Sequence, residues 1–319
     1  MKYGQLGKTG IEVSRLCVGC LSFGQPFSDS HMWTLNQEET ETIVRKALDL
    51  GFTFFDTANT YSHGTSEEYL GRAIKNSVSR DKVILATKVY FNEGHLSKKA
   101  IRREIDGSLK RLNTDYVDLY IIHRFDRTTP IEETMEALDG LVKCGKVRAL
   151  GASAMYGYQF YSMQVAAERN GWTKFCSMQN HYNLLYREDE REIIPLCKQE
   201  GVALTPFSPL AAGRLARVEW KSDSPRSQMD RTASPKYDGT QQTDYEIVRR
   251  VHETAEKHGA TMTQVAIAWH MAKGMTAPII GATKAKYLED AAGALELSFS
   301  AEDIAYLEEP YQPHKVVGR

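Results

Sequence analysis

Four titratable side chains lie at, or just beyond, the ends of apolar segments of this 319-residue chain. Asp56 ends the segment FTFFD, and Tyr61 follows in the next turn. Lys88 lies near the end of VILATKV, and His123 ends YVDLYIIH. An ammonium group stabilises a neighbouring phenolate and lowers the phenol pKa, while a carboxylate keeps the ammonium charged and in place. The set therefore predicts a general acid, with Tyr61 as proton donor and His123 orienting a carbonyl oxygen.

Such a site protonates an oxygen that is gaining negative charge, so another group must attack the carbonyl carbon. The sequence has no evident metal-ligand cluster, and no serine or cysteine stands in a nucleophile-elbow pattern. Hydride is the natural candidate, and it requires a nicotinamide cofactor. The residues thus predict a nicotinamide-dependent reductase without a metal.

The elements that must position these side chains alternate between short β-rich segments and longer amphipathic ones. The β-rich segments end at intervals of roughly 30 residues, the length of one strand–helix unit. Eight such units predict a parallel sheet closed into a (β/α)8 TIM barrel of the α/β class. An open doubly wound sheet is the alternative, but no Gly-x-Gly-x-x-Gly follows any of the segments. In a barrel, all strand ends meet on the face where active sites are built.

We expect residues 1–319 to form one domain. Residues 1–14 are predicted to form a β-hairpin that caps the barrel, and the last amphipathic segment is predicted to form a C-terminal helix. Residues 24–37 and 211–243 interrupt the 30-residue period after the first and seventh strands. Both segments are therefore expected to be long loops that border the active site.

Charge and composition limit the possible partners. The 40 basic and 41 acidic side chains give a formal charge of -1, without the basic excess that nucleic acid or an anionic membrane surface requires. No apolar segment approaches the ~18 residues of a transmembrane helix, and no secretory signal is visible. The five cysteines suit free thiols in a reducing compartment. We expect a cytoplasmic protein that binds a small carbonyl compound; its oligomeric state is not predicted.

Successive motifs of the chain resemble those of the aldo-keto reductase superfamily. They are FDTANTY, ATKV, DLYIIHR, GAS, MQNHYNLLYRE, PFSPLAAGRL and PIIGATK, and the resemblance extends from about residue 3 to residue 298. HMWTL in the first loop and PYQPHKVVG near the C-terminus most resemble a bacterial YajO-like subgroup related to the potassium-channel β-subunits. The resemblance implies a catalytic tetrad, with the tyrosine as proton donor to the carbonyl, formed by Asp56, Tyr61, Lys88 and His123.

The resemblance also implies a cofactor site built from four segments. The residues that match the nicotinamide-binding positions are Ser153, Gln179 and Phe207. Those that match the pyrophosphate-contacting turn are Ser208, Leu210, Gly213 and either Arg214 or Arg217. Those that match the adenosine end are Gly281, Thr283, Lys284, Tyr287 and Asp290.

Two of these residues bear on the choice of cofactor. The Thr283 hydroxyl and the Lys284 ammonium suit the 2′-phosphate of NADPH, since such groups bind a dianion. Lys284 is alternatively an incidental cation at a helix N-terminus. The chain departs from the family pattern where Ala154, Tyr287 and Ala291 replace the usual polar residues. The resemblance therefore implies NADPH/NADP in preference to NAD.

Residues just beyond the strand ends are candidates for lining the substrate site: Trp33, Phe91, Arg124, Phe125 and Met155. Arg124 suits an anionic carbonyl substrate, or alternatively an ion pair with a neighbouring carboxylate.

The leading functional hypothesis is an NADPH-dependent carbonyl reductase with Tyr61 as general acid. A second is sugar-phosphate chemistry, either an aldolase or isomerase with a Schiff base on Lys88, or the formation of 1-deoxyxylulose 5-phosphate that the YajO resemblance implies. Asp56 disfavours the Schiff base, because it stabilises the charged ammonium. A third, implied by the channel β-subunits, is a slow-turnover NADPH-bound redox sensor or accessory subunit.

Overall fold

A computed structural model describes residues 1–26, 32–220, 222–223, 225–230 and 234–318. Among these residues, no helix is both long enough and apolar enough to cross a membrane.

The chain begins with a small antiparallel hairpin formed by β1 (Tyr3–Gln5) and β2 (Glu12–Ser14). Leu6, Ile11 and Val13 are buried and share a hydrophobic cluster with the first residues of several barrel strands. The hairpin therefore covers the amino-terminal end of the barrel, and the predicted N-terminal β-hairpin is confirmed.

Eight parallel strands form the central sheet. In spatial order they are β10 (Ile279–Gly281), β3 (Cys17–Gly19), β4 (Phe54–Asp56), β5 (Ile84–Val89), β6 (Val117–Ile122), β7 (Val147–Ser153), β8 (Phe175–Gln179) and β9 (Ala203–Leu204). The two outer strands of this order also meet, since the Thr276 N–H donates to the Leu204 carbonyl at 2.8 Å and the Ile279 N–H to the Pro206 carbonyl at 2.9 Å. The sheet thus closes on itself, and the predicted (β/α)8 barrel is confirmed.

Helices alternate with the strands and cover the outside of the barrel. They are α1 (Gln37–Asp49), α2 (Thr65–Ser77), α3 (Lys98–Leu112), α4 (Ile131–Lys143), α5 (Gly157–Asn170), α6 (Ile193–Glu200), α7 (Pro225–Met229), α8 (Ser234–Tyr237), α9 (Gln241–His258), α10 (Met262–Ala272), α11 (Ala285–Gly293) and α12 (Ala301–Glu308). Asn36 fixes the start of α1 with a capping box, in which the Asn36 side chain and Glu39 each accept from the other's backbone N–H. The last of these helices, α12, is the predicted C-terminal helix.

Of the two segments expected to be long loops, the second contains more helix than the sequence indicated. Residues 27–31 of the first segment lie outside the described part of the chain, and Gln37 already begins α1. Residues 221, 224 and 231–233 of the second segment also lie outside the description. The remainder of the second segment contains α7, α8 and the start of α9. Its Trp220 and Tyr237 are buried, so burial of aromatic side chains gives this segment regular structure that its polar composition did not predict.

Candidate active site

The four predicted catalytic side chains lie at the carboxyl ends of three adjacent strands. Asp56 is the last residue of β4, and it pairs in register with Ala86 of β5, two residues before Lys88. Because side chains alternate between the two faces of a strand, Ala86 and Lys88 share one face. His123 directly follows β6, and Tyr61 lies in the turn after β4. The register of the barrel thus brings the set together, as the strand spacing predicted.

The Lys88 ammonium is the centre of this arrangement and is fully buried. Its Nζ donates to Asp56 Oδ1 at 2.5 Å, to the Thr57 carbonyl at 2.7 Å and to the Tyr61 hydroxyl at 3.2 Å. An ammonium has three protons, and these bonds use all of them. Lys88 is therefore held in one orientation, with one N–H directed at the phenol oxygen.

The Asp56 carboxylate also accepts a hydrogen bond from Gln179. The Gln179 Nε2 donates to Asp56 Oδ2 at 2.9 Å, so each carboxylate oxygen accepts a hydrogen bond. Gln179 was predicted to bind the nicotinamide carboxamide. Its side-chain nitrogen contacts the tetrad directly, and this link was not predicted.

Burial and neighbouring charges shift the pKa values of the tetrad. Burial disfavours the Lys88 ammonium, but Asp56 and Tyr61 outweigh it, so the pKa of Lys88 lies above its ordinary value. Burial raises the pKa of Tyr61 and Lys88 opposes this only in part, so our expectation of a lowered phenol pKa is wrong for the free protein. Burial, with the charges of Lys88 and Arg124, holds the pKa of His123 well below its ordinary value. At neutral pH the site therefore contains an ammonium, a protonated phenol and a neutral imidazole. A permanently charged Lys88 is not the free amine that Schiff-base chemistry needs.

The His123 ring lies beside the Tyr61 phenol. It contacts Tyr61 edge-on, with ring centroids 5.9 Å apart, and it contacts Phe91 in the same way at 5.0 Å. His123 Nδ1 is buried and has no hydrogen-bond partner among the described residues. A buried polar atom without a partner costs roughly 1–3 kcal/mol, so such atoms in a cleft indicate a polar ligand.

Two further buried polar groups without partners lie at neighbouring strand ends. Ser153 ends β7, and its Oγ has no partner in the described part of the chain. Asn180 directly follows β8, and neither atom of its amide has a described partner. Ser153 was a predicted site residue, whereas Asn180 was not. The available signal was its position beside Gln179, since the two form a polar pair just where an apolar strand ends.

Phe207 belongs to a stack of parallel rings. It packs on His181 with centroids 5.1 Å apart and an 8° angle between the planes, and His181 packs on Tyr186 at 4.1 Å. One face of Phe207 is therefore occupied. The Lys236 ammonium also lies over the Phe207 ring, with Nζ 5.4 Å from the ring centre.

The turn after Phe207 has an unusual backbone. Ser208 has a φ of 58°, a left-handed conformation that non-glycine residues adopt at some cost. The Asn183 side chain donates to the Ser208 carbonyl at 2.9 Å and so holds it in place. Gly213 has a φ of 91°, and a Cβ there would lie 2.8 Å from an Arg217 nitrogen. The part-buried Leu210 lies between them in the sequence, so the three predicted pyrophosphate residues belong to one turn.

The two arginines of this turn have different surroundings. Arg214 is buried, donates to Asp238 at 2.5 Å and lies 5.0 Å from the centre of the Tyr237 ring. Arg217 forms no ion pair with any described residue, and burial together with the charge of Arg214 lowers its pKa. Arg214 is therefore held within the protein, and Arg217 is the better candidate for a phosphate contact.

The residues assigned to the adenosine end surround the start of α11. Gly281 ends β10 and Lys284 is the exposed N-cap residue of α11, with the part-buried Thr283 between them. Tyr287 is exposed on the first turn and interacts electrostatically with Arg217. Asp290 differs from the rest of the set, since its carboxylate accepts from the Thr261 hydroxyl at 2.8 Å.

This geometry agrees with a comparison to known protein families. A sequence model of the Aldo/keto reductase family matches residues 15–312. The chain belongs to the aldo/keto reductase family. It is accordingly an oxidoreductase that acts on carbonyl or alcohol groups.

Relatives of this aldo/keto reductase match nearly its whole length. It is 40% identical to versiconal hemiacetal acetate reductase of Aspergillus parasiticus, over 99% of this chain and 98% of that protein. It is 43% identical to an aldo-keto reductase of Fusarium vanettenii, over 99% and 92%, and 41% identical to a putative aryl-alcohol dehydrogenase of Schizosaccharomyces pombe, over 99% and 97%. These relatives are fungal. The family assignment is confirmed, but they do not support the narrower placement in a bacterial YajO-like subgroup.

The predicted substrate residues of this aldo/keto reductase differ in accessibility. Phe91 is 50% exposed, and Arg124 is half-buried with its guanidinium carbon 5.6 Å from the centre of the Phe91 ring. Phe125 is partly buried against the core, whereas Trp33 and Met155 are buried and offer little surface. Phe91 is therefore the most exposed of the five, and Arg124 lies against its ring.

Proposed function

We propose that this protein is an NADPH-dependent carbonyl reductase that transfers hydride from nicotinamide to an aldehyde or ketone, with Tyr61 as general acid. The observation that carries the proposal is the buried Lys88 ammonium, which contacts both Asp56 and the Tyr61 hydroxyl. A charged, immobilised ammonium beside a protonated phenol is suited to stabilising the phenolate that forms when the proton leaves.

Tyr61 gives its proton to the carbonyl oxygen as that oxygen gains negative charge. Burial makes the phenol a weak acid, but Lys88 offsets part of this penalty at the moment when the phenolate forms. Asp56 and the Thr57 carbonyl hold Lys88 in place, so it has no need to reorganise.

His123 orients the carbonyl. Because its pKa is well below the ordinary value, the imidazole is neutral and carries one N–H. A neutral donor can bind the oxygen without competing with Tyr61 as the acid. The edge-on contact between the two rings supports a role for both side chains at one carbonyl group.

The chain's polar groups fit a nicotinamide cofactor. When bound, the nicotinamide supplies the hydride. The buried Ser153 and Asn180 groups without described partners suit its carboxamide, and the aromatic ring of Phe207 suits stacking with its ring. Arg217 suits the pyrophosphate, and Thr283 with Lys284 suits the 2′-phosphate that distinguishes NADPH from NADH.

The test is loss of the NADPH absorbance with a reactive aromatic aldehyde, a substrate class suggested by the aryl-alcohol dehydrogenase relative. Removing a general acid costs about 10²–10⁴-fold in rate, so Tyr61→Phe should lose activity by that factor. Tyr245→Phe, at an exposed position of α9, is the matched control and should keep the wild-type rate. Equal rates for wild type and Tyr61→Phe would refute the mechanism, and no NADPH oxidation by wild type would refute the function.

A further inference from the structure

Arg124 is a half-buried cation beside Tyr61, just after β6. Its Nη1 donates to the His123 carbonyl at 2.7 Å, and no Asp or Glu of the described residues forms an ion pair with it. The carboxylate nearest in sequence, Asp126, accepts instead from the Thr128 and Thr129 hydroxyls at 2.7 Å each. The local ion pair that the sequence left open is therefore not formed.

The position of this cation is unfavourable without a ligand. Burial lowers the pKa of Arg124, and no carboxylate in the described part of the chain forms an ion pair that would compensate its charge. His123 is neutral, and the positive charge of Lys88 is already matched by Asp56. An uncompensated charge in a partly dry cleft favours binding of an anion.

The free edge of the guanidinium indicates the shape of that anion. Because Nη1 is used by the backbone, the edge formed by Nε and Nη2 remains, and no described residue accepts from either atom. Two parallel N–H donors on that edge match the two oxygens of a carboxylate. The half-exposed Phe91 ring lies below the same guanidinium and packs edge-on against Tyr90 and His123, which fix its orientation.

We infer that Arg124 and Phe91 form a substrate subsite that selects aromatic carbonyl compounds carrying a carboxylate. The carboxylate binds the Nε–Nη2 edge of Arg124, the aryl ring packs on Phe91, and the carbonyl group lies between Tyr61 and His123. The inference rests on the proposed reductase function and adds a substrate class to it.

The experiment compares 2-, 3- and 4-carboxybenzaldehyde with their neutral methyl esters as substrates for NADPH oxidation. The measured quantity is the ratio of kcat/KM for each acid to kcat/KM for its ester. Taking this ratio cancels any effect of Arg124 on Tyr61 itself. We expect a ratio of about 10 to 100 for at least one isomer, from the strength of a charge-assisted bidentate contact.

Two variants of Arg124 and one control variant test whether Arg124 produces the preference for the acids. Arg124→Gln should bring the ratio close to one. Arg124→Lys should keep part of the preference, because Lys retains the positive charge but lacks the two parallel N–H donors. Arg127→Gln removes the same charge from an exposed position three residues further along the loop, and it should leave the ratio at the wild-type value.

The outcomes separate the subsite from the proposed function. Wild-type ratios near one for all three isomers, or an Arg124→Gln ratio equal to wild type, would overturn the subsite. An equal drop for acids and esters in Arg124→Gln would do the same, since it would mean that Arg124 acts only on the tetrad. If wild type reduced neither acids nor esters, the reductase function itself would fail.

Discussion

Gln179 of β8 donates a 2.9 Å hydrogen bond to Asp56 of β4, and these two strands lie four positions apart in the ring of eight. The bond therefore crosses the interior of the barrel. Gln179 ends β8, where the nicotinamide is expected, and its amide also holds Asp56 of the tetrad.

Gln179→Leu should destabilise the protein. It removes the donor to Asp56 Oδ2 and leaves a buried carboxylate oxygen unsatisfied, which costs roughly 1–3 kcal/mol. Urea denaturation should show the loss as a lower midpoint with an unchanged slope. Gln242→Leu makes the same chemical change at an exposed position of α9 and should shift the midpoint little. Similar midpoints for the two variants would mean that the cross-barrel bond adds nothing.

The pH dependence of aldehyde reduction follows from two shifted pKa values. Tyr61 must be protonated, so activity is lost as pH rises through its pKa, which lies above the ordinary value of 10.0. His123 must be neutral, so activity is lost as pH falls through its pKa, which lies well below 6.5. We expect kcat/KM at saturating NADPH to be flat between these ordinary values.

A pH–rate profile in constant-ionic-strength buffers checks this expectation. His123→Gln retains a neutral N–H donor, so its profile should stay flat over the same interval. An inflection near 6.5 that is present in wild type and absent from His123→Gln would show that the imidazole titrates normally, contrary to the burial argument.

Glu67 should be important for stability although it lies outside the tetrad. It is fully buried on α2, where it accepts from Thr87 at 2.5 Å and from Arg111 at 2.6 Å. Arg111 in turn packs against Gly64, in the turn that carries Tyr61. Removing one partner of a buried pair leaves the other charge uncompensated, so Glu67→Leu should lower the free energy of unfolding by about 3 kcal/mol.

The adjacent residue offers the matched control for Glu67. Glu68 is exposed on the same helix, so Glu68→Leu tests the effect of losing a carboxylate without the buried contacts. Its unfolding free energy should stay within about 0.5 kcal/mol of wild type. If both variants lost the same stability, the buried pair would not be the cause.

The sequence predicted the barrel and the meeting of the tetrad because both depend on periodicity. Strand ends that recur at one-unit spacing must emerge on one face, and that alone brings Asp56 and Lys88 together. The direction of the Tyr61 pKa shift was not predictable in this way. It depends on how completely the ring is buried, which is a property of packing that no local pattern records.

The side-chain partners within residues 211–243 could not be predicted from the sequence either. Arg214 and Arg217 are three residues apart in one turn, and the sequence could not distinguish them. Arg214 donates a hydrogen bond to Asp238, which lies 24 positions further along the chain. The two become neighbours only because residues 211–243 fold back. Likewise, Asp290 is committed to Thr261 of the preceding helix. Such pairings depend on tertiary structure.

The hairpin β1–β2 has a kinetic consequence. Its side chains fill the amino-terminal end of the barrel together with the first residues of several strands, so ligands are expected only at the end where the strands stop. Ser153 is buried at that end, whereas Phe91 is half exposed. With the nicotinamide at Ser153 and the carbonyl compound beside Phe91, as proposed, the dinucleotide lies deeper than the substrate. We therefore expect the dinucleotide to bind before the carbonyl compound and to leave after the product.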